Sequence, residues 1–277
     1  MFYADLHIHT YYSDGLFSPN KVLYMAKENQ VKVVAITDHD TLFHLDMCQD
    51  IADGYDIKLI RGVELSCYNS CAKKKVHIIG LGITGKTPQL NKITAQIREG
   101  RNACHRIIID ELKKAGYDID YEYVLSFSHS QTVSKIHIFK ALQNKYPNID
   151  ESFYKQHFMK TKHTSADDLM SYVDVEQGIQ AILHDGGIPI LAHPNFYDSF
   201  PDVKTYVDFG LQGIEISHVT MNENDCAKAR EFAKTYGLKV SGGSDYHPFK
   251  SYPSEIGEYG ISEKDCYELL SIISQHA

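Results

Sequence analysis

The chain has 277 residues, 43% hydrophobic and 23% charged, a balance that suits a globular protein with one main domain and room for an insertion. Its 36 acidic residues against 28 basic ones leave a formal charge of −8, which argues against a broad basic face gripping long nucleic acid through its phosphates. Met1 to Asp5 run directly into an apolar strand without a basic or long apolar leader, and the six cysteines show no CxxC spacing. The expectation is a cytoplasmic protein with reduced thiols and no membrane span.

Seven short apolar runs, over 2–6, 32–36, 58–63, 76–81, 188–192, 213–216 and 239–241, read as buried strands. Helical patterns lie between many of them. The first is opened by Ser18 as N-cap and Pro19 at the first helical position, leading into a helix over 20–29. Strand and helix in alternation predict parallel βαβ units. Barrels of such units place their chemistry at the carboxyl ends of the strands.

Metal-ligating side chains cluster where these apolar runs end. His7 and His9, two apart on the first strand, leave the same face and can chelate one ion. Asp5 shares that face. Asp14 follows in the turn Tyr12-Ser13-Asp14-Gly15, where a role as turn former competes with ligation. His39 closes the second strand between Asp38 and Asp40, an imidazole flanked by carboxylates that can orient it. Asp40 reads equally as the N-cap of the next helix. Glu64 ends the third strand, and a carboxylate can bridge two ions where an imidazole cannot. His77 lies inside the strand pattern Val76-His77-Ile78-Ile79, where a buried hydrogen-bonded histidine is a fair competitor.

Later in the chain, His193 ends an apolar strand and precedes Pro194, while Asp245 and His247 share a face after Gly242-Gly243, a pair that lets backbones approach closely. The remaining histidines (His44, His105, His129, His157, His163, His184, His218 and His276) lack such a setting and read as surface or core residues; His137 is taken up below. Gly80-x-Gly82-x-x-Gly85 matches the letters of a dinucleotide fingerprint, but it follows a strand with a candidate ligand and leads into a turn. No Walker loop or nucleophile elbow is present.

The order Asp-x-His-x-His-Thr, Ser-Asp-Gly, Thr-Asp-His-Asp, Glu, His, Ala-His-Pro and Gly-Ser-Asp-x-His resembles the polymerase and histidinol phosphatase (PHP) superfamily of metal-dependent phosphoesterases. That resemblance implies an α/β fold, a distorted (β/α)7 TIM-like barrel formed by 1–89 and 173–277 with a small helical insertion over 90–172. It implies two to three divalent ions, manganese, iron or zinc. One would take His7, His9, Glu64 and Asp245; a second Glu64, His77 and His193; a third Asp14, His39 and His247. Glu64, His193, Asp245 and His247 are the residues expected to carry catalysis.

Within the superfamily the chain is similar to the bacterial branch that hydrolyses nucleoside 3′,5′-bisphosphates or trims short 5′-phosphorylated RNA. By that likeness Arg101, on a long helix opening near Ile97, and His137, on a second helix over 133–142, would hold a substrate phosphate. The competing reading makes Arg101 a solvated charge and His137 a packing residue. Three departures bear on substrate choice: Leu42-Phe43-His44 where a glycine is common, Asn195-Phe196 where a basic residue is common, and Lys135 in place of arginine. The expected activity is attack of a metal-bound hydroxide on phosphorus, with a small phosphorylated nucleotide or short RNA as partner. A histidinol-phosphate phosphatase is the first alternative, and a non-catalytic metal-stabilised nucleotide- or partner-binding module the second.

Overall fold

A computed structural model describes residues 1–43, 45–159, 170–247 and 253–276, so His44 and His163 lie outside the described residues. The strands are β1 (Ala4–Ile8), β2 (Val33–Ile36), β3 (Lys58–Asn69), β4 (Lys74–Leu81), β5 (Val173–Asp174), β6 (Ile188–Leu191), β7 (Gly213–Glu215) and β8 (Lys239–Ser241). They form one curled sheet in the order β1-β2-β3-β4-β6-β7-β8, with β5 paired to the outer end of β3. The curl nearly closes: Leu6 donates to the Gly242 carbonyl at 3.0 Å and Asp245 donates to the His7 carbonyl at 2.8 Å, while Ile8 bridges to Tyr246 in parallel.

The architecture is the expected α/β barrel, but the strands are not all parallel. β4 runs antiparallel to both β3 and β6. The reason lies in β3, a strand of 12 residues that runs on well past Glu64 and folds back through a short turn over 70–73. A connection that short can only join antiparallel neighbours, since a parallel crossover needs a dozen residues or more.

Around the sheet lie α1 (Pro19–Glu28), α2 (Leu45–Asp53), α3 (Pro88–Lys114), α4 (Tyr121–Leu125), α5 (Lys135–Lys145), α6 (Glu151–Tyr154), α7 (Val175–His184), α8 (Val203–Asp208), α9 (Glu223–Tyr236) and α10 (Glu263–His276). The Ser18 hydroxyl caps α1 by accepting from the Lys21 amide at 3.2 Å, as its sequence predicts. α3 starts at Pro88 rather than near Ile97, because proline at the first helical turn costs no hydrogen bond. Asp40 does not cap α2; it faces Ser66 and Arg101 instead.

The buried apolar residues fall into separate groups. The main core joins the sheet to α7 and the outer helices, and includes Leu90 and Ile97 of α3. A second core gathers Cys104, Ile108 and Ile109 of α3 with Ile136, Phe139 and Leu142 of α5. α3 is therefore the shared beam of two cores, and Arg101 sits where one gives way to the other. No helix among the described residues is long and apolar enough to cross a membrane.

Candidate active site

Glu64 is the centre of the site, buried to 1% exposure. Its Oε2 lies 3.1 Å from His7 Nε2, 3.2 Å from His9 Nε2 and 3.0 Å from His39 Nδ1. Its Oε1 lies 2.8 Å from His77 Nδ1 and 3.0 Å from His193 Nε2. One carboxylate thus faces five imidazoles. Asp245 Oδ1 closes the His7 and His9 side at 3.5 and 3.2 Å. On the outer side, Asp14 Oδ1 meets His247 Nε2 at 2.8 Å, while its Oδ2 is 4.0 Å from His39 Nε2. All nine side chains singled out from the sequence converge on one mouth.

Their delivery differs from the expected strand ends in the case of Glu64, which lies inside β3, while His77 lies inside β4 as its strand pattern predicts. In the antiparallel hairpin Glu64 pairs with Ile79 and Ser66 with His77, so Glu64 and His77 reach the same face from neighbouring rungs. Three other mouth residues adopt left-handed backbone conformations: Asp40 (φ 51°), His193 (φ 26°) and Asp245 (φ 49°). Such strain costs about 1–3 kcal/mol per residue and persists where surrounding structure enforces it. Here the enforcing contacts are visible. Glu215 Oε2 accepts from the His193 amide at 2.6 Å, and the Asp245 amide is anchored on His7.

Two residues of the site were missed by reading strand ends. Glu215 Oε1 lies 3.0 Å from His7 Nδ1, and His218 Nε2 lies 3.0 Å from Asp245 Oδ2. His218, read from the sequence as an ordinary surface or core histidine, is fully buried behind the cluster. The available signal was the one used elsewhere: Glu215 ends an apolar strand, and His218 follows it by three residues. Both hold side chains of the cluster, His7 and Asp245, by the atoms that face away from Glu64. Asp38 does the same for the first loop, accepting from the Thr10 amide at 2.7 Å and the Ser13 hydroxyl at 2.6 Å.

The electrostatics are those of a site built for added positive charge. Burial alone would raise the Glu64 carboxyl, yet His39, His7 and His77 hold it well below the usual carboxylate range. Burial likewise opposes the charged form of His7, but Glu64, Glu215 and Asp245 together hold it well above an ordinary imidazole. Burial pushes His39 well down and lowers His193. His7 Nε2, His9 Nε2, His39 Nδ1 and Glu64 Oε2 are buried without a hydrogen-bond partner among the described residues. Buried polar atoms left without hydrogen bonds are costly, and here four of them converge on one volume. The groups His7, His9, Glu64 and Asp245; His9, Asp14, His39 and His247; and His39, Glu64 and His77 each place one ligand atom per residue within 4.8 Å of the others. Nitrogen and oxygen donors in this arrangement fit divalent manganese, iron or zinc.

Beside the cluster, Asp14, Lys75, Arg101, Lys135, Tyr154 and Tyr172 line a cavity of about 200 Å³. Arg101 is mostly buried and donates to Asp40 Oδ2 and, at 3.1 Å, to Ser66 Oγ, so it is not a solvated helix charge. His137 is fully buried, its Nδ1 accepting from the Ser134 amide at 3.0 Å. Burial lowers His137 to about 4, so it stands neutral at pH 7. Phe196, where a basic residue was expected, is half exposed with its ring centroid 5.6 Å from that of His193.

The family model for the PHP domain matches residues 5–199. The chain is 33% identical over 246 residues to the phosphoribosyl 1,2-cyclic phosphate 1,2-diphosphodiesterase of Eggerthella lenta, covering 88% of this chain and 93% of that protein. It is 30% identical over 252 residues to the 5′-3′ exoribonuclease Rnm of Salmonella typhimurium (88% and 84% covered). To the 3′,5′-nucleoside bisphosphate phosphatase of Chromobacterium violaceum it is 29% identical over 250 residues (88% and 86% covered). Among solved structures, an amidohydrolase from Chromobacterium violaceum with bound sulfate and no metal matches with a TM-score of 0.81 at 26% identity, covering 99% of this chain and 96% of that one. A Bifidobacterium adolescentis protein assigned as a metal-dependent phosphoesterase shares the fold with a TM-score of 0.84 at 22% identity, over 97% and 96% of the two chains. With a matching family model over most of its length and a site rich in imidazole and carboxylate donors, the chain belongs to the PHP domain family of metal-dependent phosphoesterases.

Proposed function

We propose that the protein hydrolyses a phosphate ester on a ribose that carries a second phosphate, its substrates being nucleoside 3′,5′-bisphosphates or short 5′-phosphorylated RNA. The observation that carries this reading is the pairing of a Glu64-centred ligand cluster with a separate cation-lined cavity bordered by Asp14. In this reading His7, His9, Glu64 and Asp245 hold one divalent ion, Glu64, His77 and His193 a second, and Asp14, His39 and His247 a third. Bound there, divalent ions supply an activated water and neutralise charge developing on phosphorus.

The chain's own groups do the rest. Glu64 offers one oxygen to His7, His9 and His39 and the other to His77 and His193, which fixes the spacing of the ligand sets. Glu215 holds His7 by its Nδ1 and so leaves Nε2 facing the cluster. Arg101, tied to Asp40 and Ser66, offers the planar fork that matches a phosphate. Lys75, Arg101 and Lys135 beside the cluster disfavour an ammonium-bearing substrate such as histidinol phosphate.

A second reading, a cyclic phosphodiester of a phosphoribosyl group, is favoured by the 33% identity to the Eggerthella lenta enzyme over nearly its whole length. Product formation would be measured side by side, as inorganic phosphate from adenosine 3′,5′-bisphosphate and histidinol phosphate, as nucleoside 5′-monophosphate from a short 5′-phosphorylated RNA and as the ring-opened phosphomonoester from phosphoribosyl 1,2-cyclic phosphate, with metal content determined on the same sample. Preference for the bisphosphate or the RNA supports the proposal. Preference for the cyclic ester selects the second reading, and preference for histidinol phosphate overturns both.

A further inference from the structure

β4 carries more than His77. Side chains two apart on a strand share a face, so Lys75 leaves β4 on the side that His77 turns toward Glu64, about 7 Å farther out along the strand. The partner strand repeats the pattern: Ser66 lies opposite His77 and Tyr68 opposite Lys75. Read outward from Glu64, this face of the hairpin passes from the ligand cluster, through the Ser66 hydroxyl that Arg101 contacts, to Lys75 at the wall of the cation-lined cavity.

The three cations there are not equivalent. Arg101 is engaged by Asp40 and Ser66, and Lys135 donates to the Phe158 carbonyl at 3.0 Å. Lys75 is exposed, and among the described residues its ammonium meets only the Tyr172 ring, 5.0 Å from the centroid. Tyr172 is in turn stacked on Tyr68, with centroids 6.5 Å apart and planes at 19°. An aromatic face under an ammonium fixes its position without neutralising it. In a chain of net charge −8, a cation held in place but lacking a carboxylate partner is a site for an anion.

We propose that Lys75, supported by Tyr172, binds the substrate's second phosphate, the one that is not hydrolysed, and so sets the preference for doubly phosphorylated substrates. The proposal deepens the phosphoesterase reading above and rests on it for the identity of the substrate. Lys75 is a specificity residue and takes no part in the chemical step.

The test is competition on the manganese-loaded enzyme, using p-nitrophenyl phosphate turnover as the readout and adenosine 3′,5′-bisphosphate or adenosine 3′-monophosphate, which lacks the retained 5′-phosphate, as competitor. The wild type should bind the bisphosphate more tightly than the monophosphate. Lys75→Gln should raise the bisphosphate inhibition constant about tenfold, the scale of one lost ion contact at a partly exposed site, and leave the monophosphate constant within about twofold. Lys75→Arg should retain the discrimination between the two nucleotides. Equal inhibition constants for the two nucleotides in the wild type, or equal effects of Lys75→Gln on both, overturn the subsite. A wild type that binds the bisphosphate through Lys75 but releases no phosphate from it supports the subsite and removes the substrate reading. Brisk hydrolysis of the bisphosphate with an indifferent Lys75→Gln does the reverse.

Discussion

Glu64 and Glu215 are both buried carboxylates beside His7, yet they play separable parts. Glu64 faces five imidazoles with its two oxygens. Glu64→Gln keeps the shape and removes the charge shared between ligand sets, so activity should fall by several orders of magnitude while circular dichroism stays that of the wild type. Near-normal turnover in a folded variant would refute that role. Glu215 touches His7 by Nδ1 and the His193 backbone amide, so Glu215→Gln should weaken metal affinity by about 10–100-fold, with activity restored at saturating metal. Failure of added metal to restore activity would place Glu215 in the chemistry itself. Farther out, His105 is buried against the Arg101 carbonyl at 2.8 Å, and burial pushes it down from 6.5 to about 3. The unfolded chain therefore binds a proton that the folded one refuses. The stability it contributes is complete above about pH 6.5 and is lost as pH falls toward 3. Urea unfolding at pH 7 and pH 5 should show a smaller acid-side loss for His105→Gln than for the wild type; parallel losses would show that His105 does not resist protonation.

At the scale of elements, the β1–β8 seam and the β3–β4 hairpin position the site. Gly243 passes so close to β1 that a Cβ there would lie 2.4 Å from both the His7 Cβ and its backbone nitrogen. Since His7 must point at Glu64, the seam tolerates no side chain at this step. Gly243→Ala should destabilise the protein by about 1–3 kcal/mol, the usual cost of overpacking, and lower its metal content as His7 is displaced. A variant with wild-type melting temperature and metal content would mean that the seam can open without disturbing the ligand. The hairpin works by extension: because β3 runs past Glu64 before turning back, it presents Glu64, His77, Ser66 and Lys75 on one face.

For the molecule as a whole, the folded chain concentrates buried imidazoles and carboxylates at one end of the barrel, with His7 Nε2, His9 Nε2 and Glu64 Oε2 lacking hydrogen bonds among the described residues. A ligand that binds only the folded state stabilises it by about 2.7 kcal/mol at a concentration 100 times its dissociation constant. Removal of divalent ions with a chelator should therefore lower the melting temperature, and added manganese or zinc should restore it. A melting temperature indifferent to both would contradict metal binding at this cluster.

What the amino-acid sequence determined by itself is the local part of this design. Period-two spacing places His7 with His9, Ser18-Pro19 starts α1, and apolar runs mark the strands, because each depends only on residues a few positions apart. What the tertiary structure decided is everything set by which strand lies beside which. The pairing of β4 with β6, the diversion of Asp40 from a helix cap to Arg101, and the recruitment of Glu215 and His218 behind His7 and Asp245 all join residues tens to hundreds of positions apart. The same is true of Lys75, whose spacing from His77 is plain in the sequence but whose cavity exists only once α3, α5 and the hairpin are packed together.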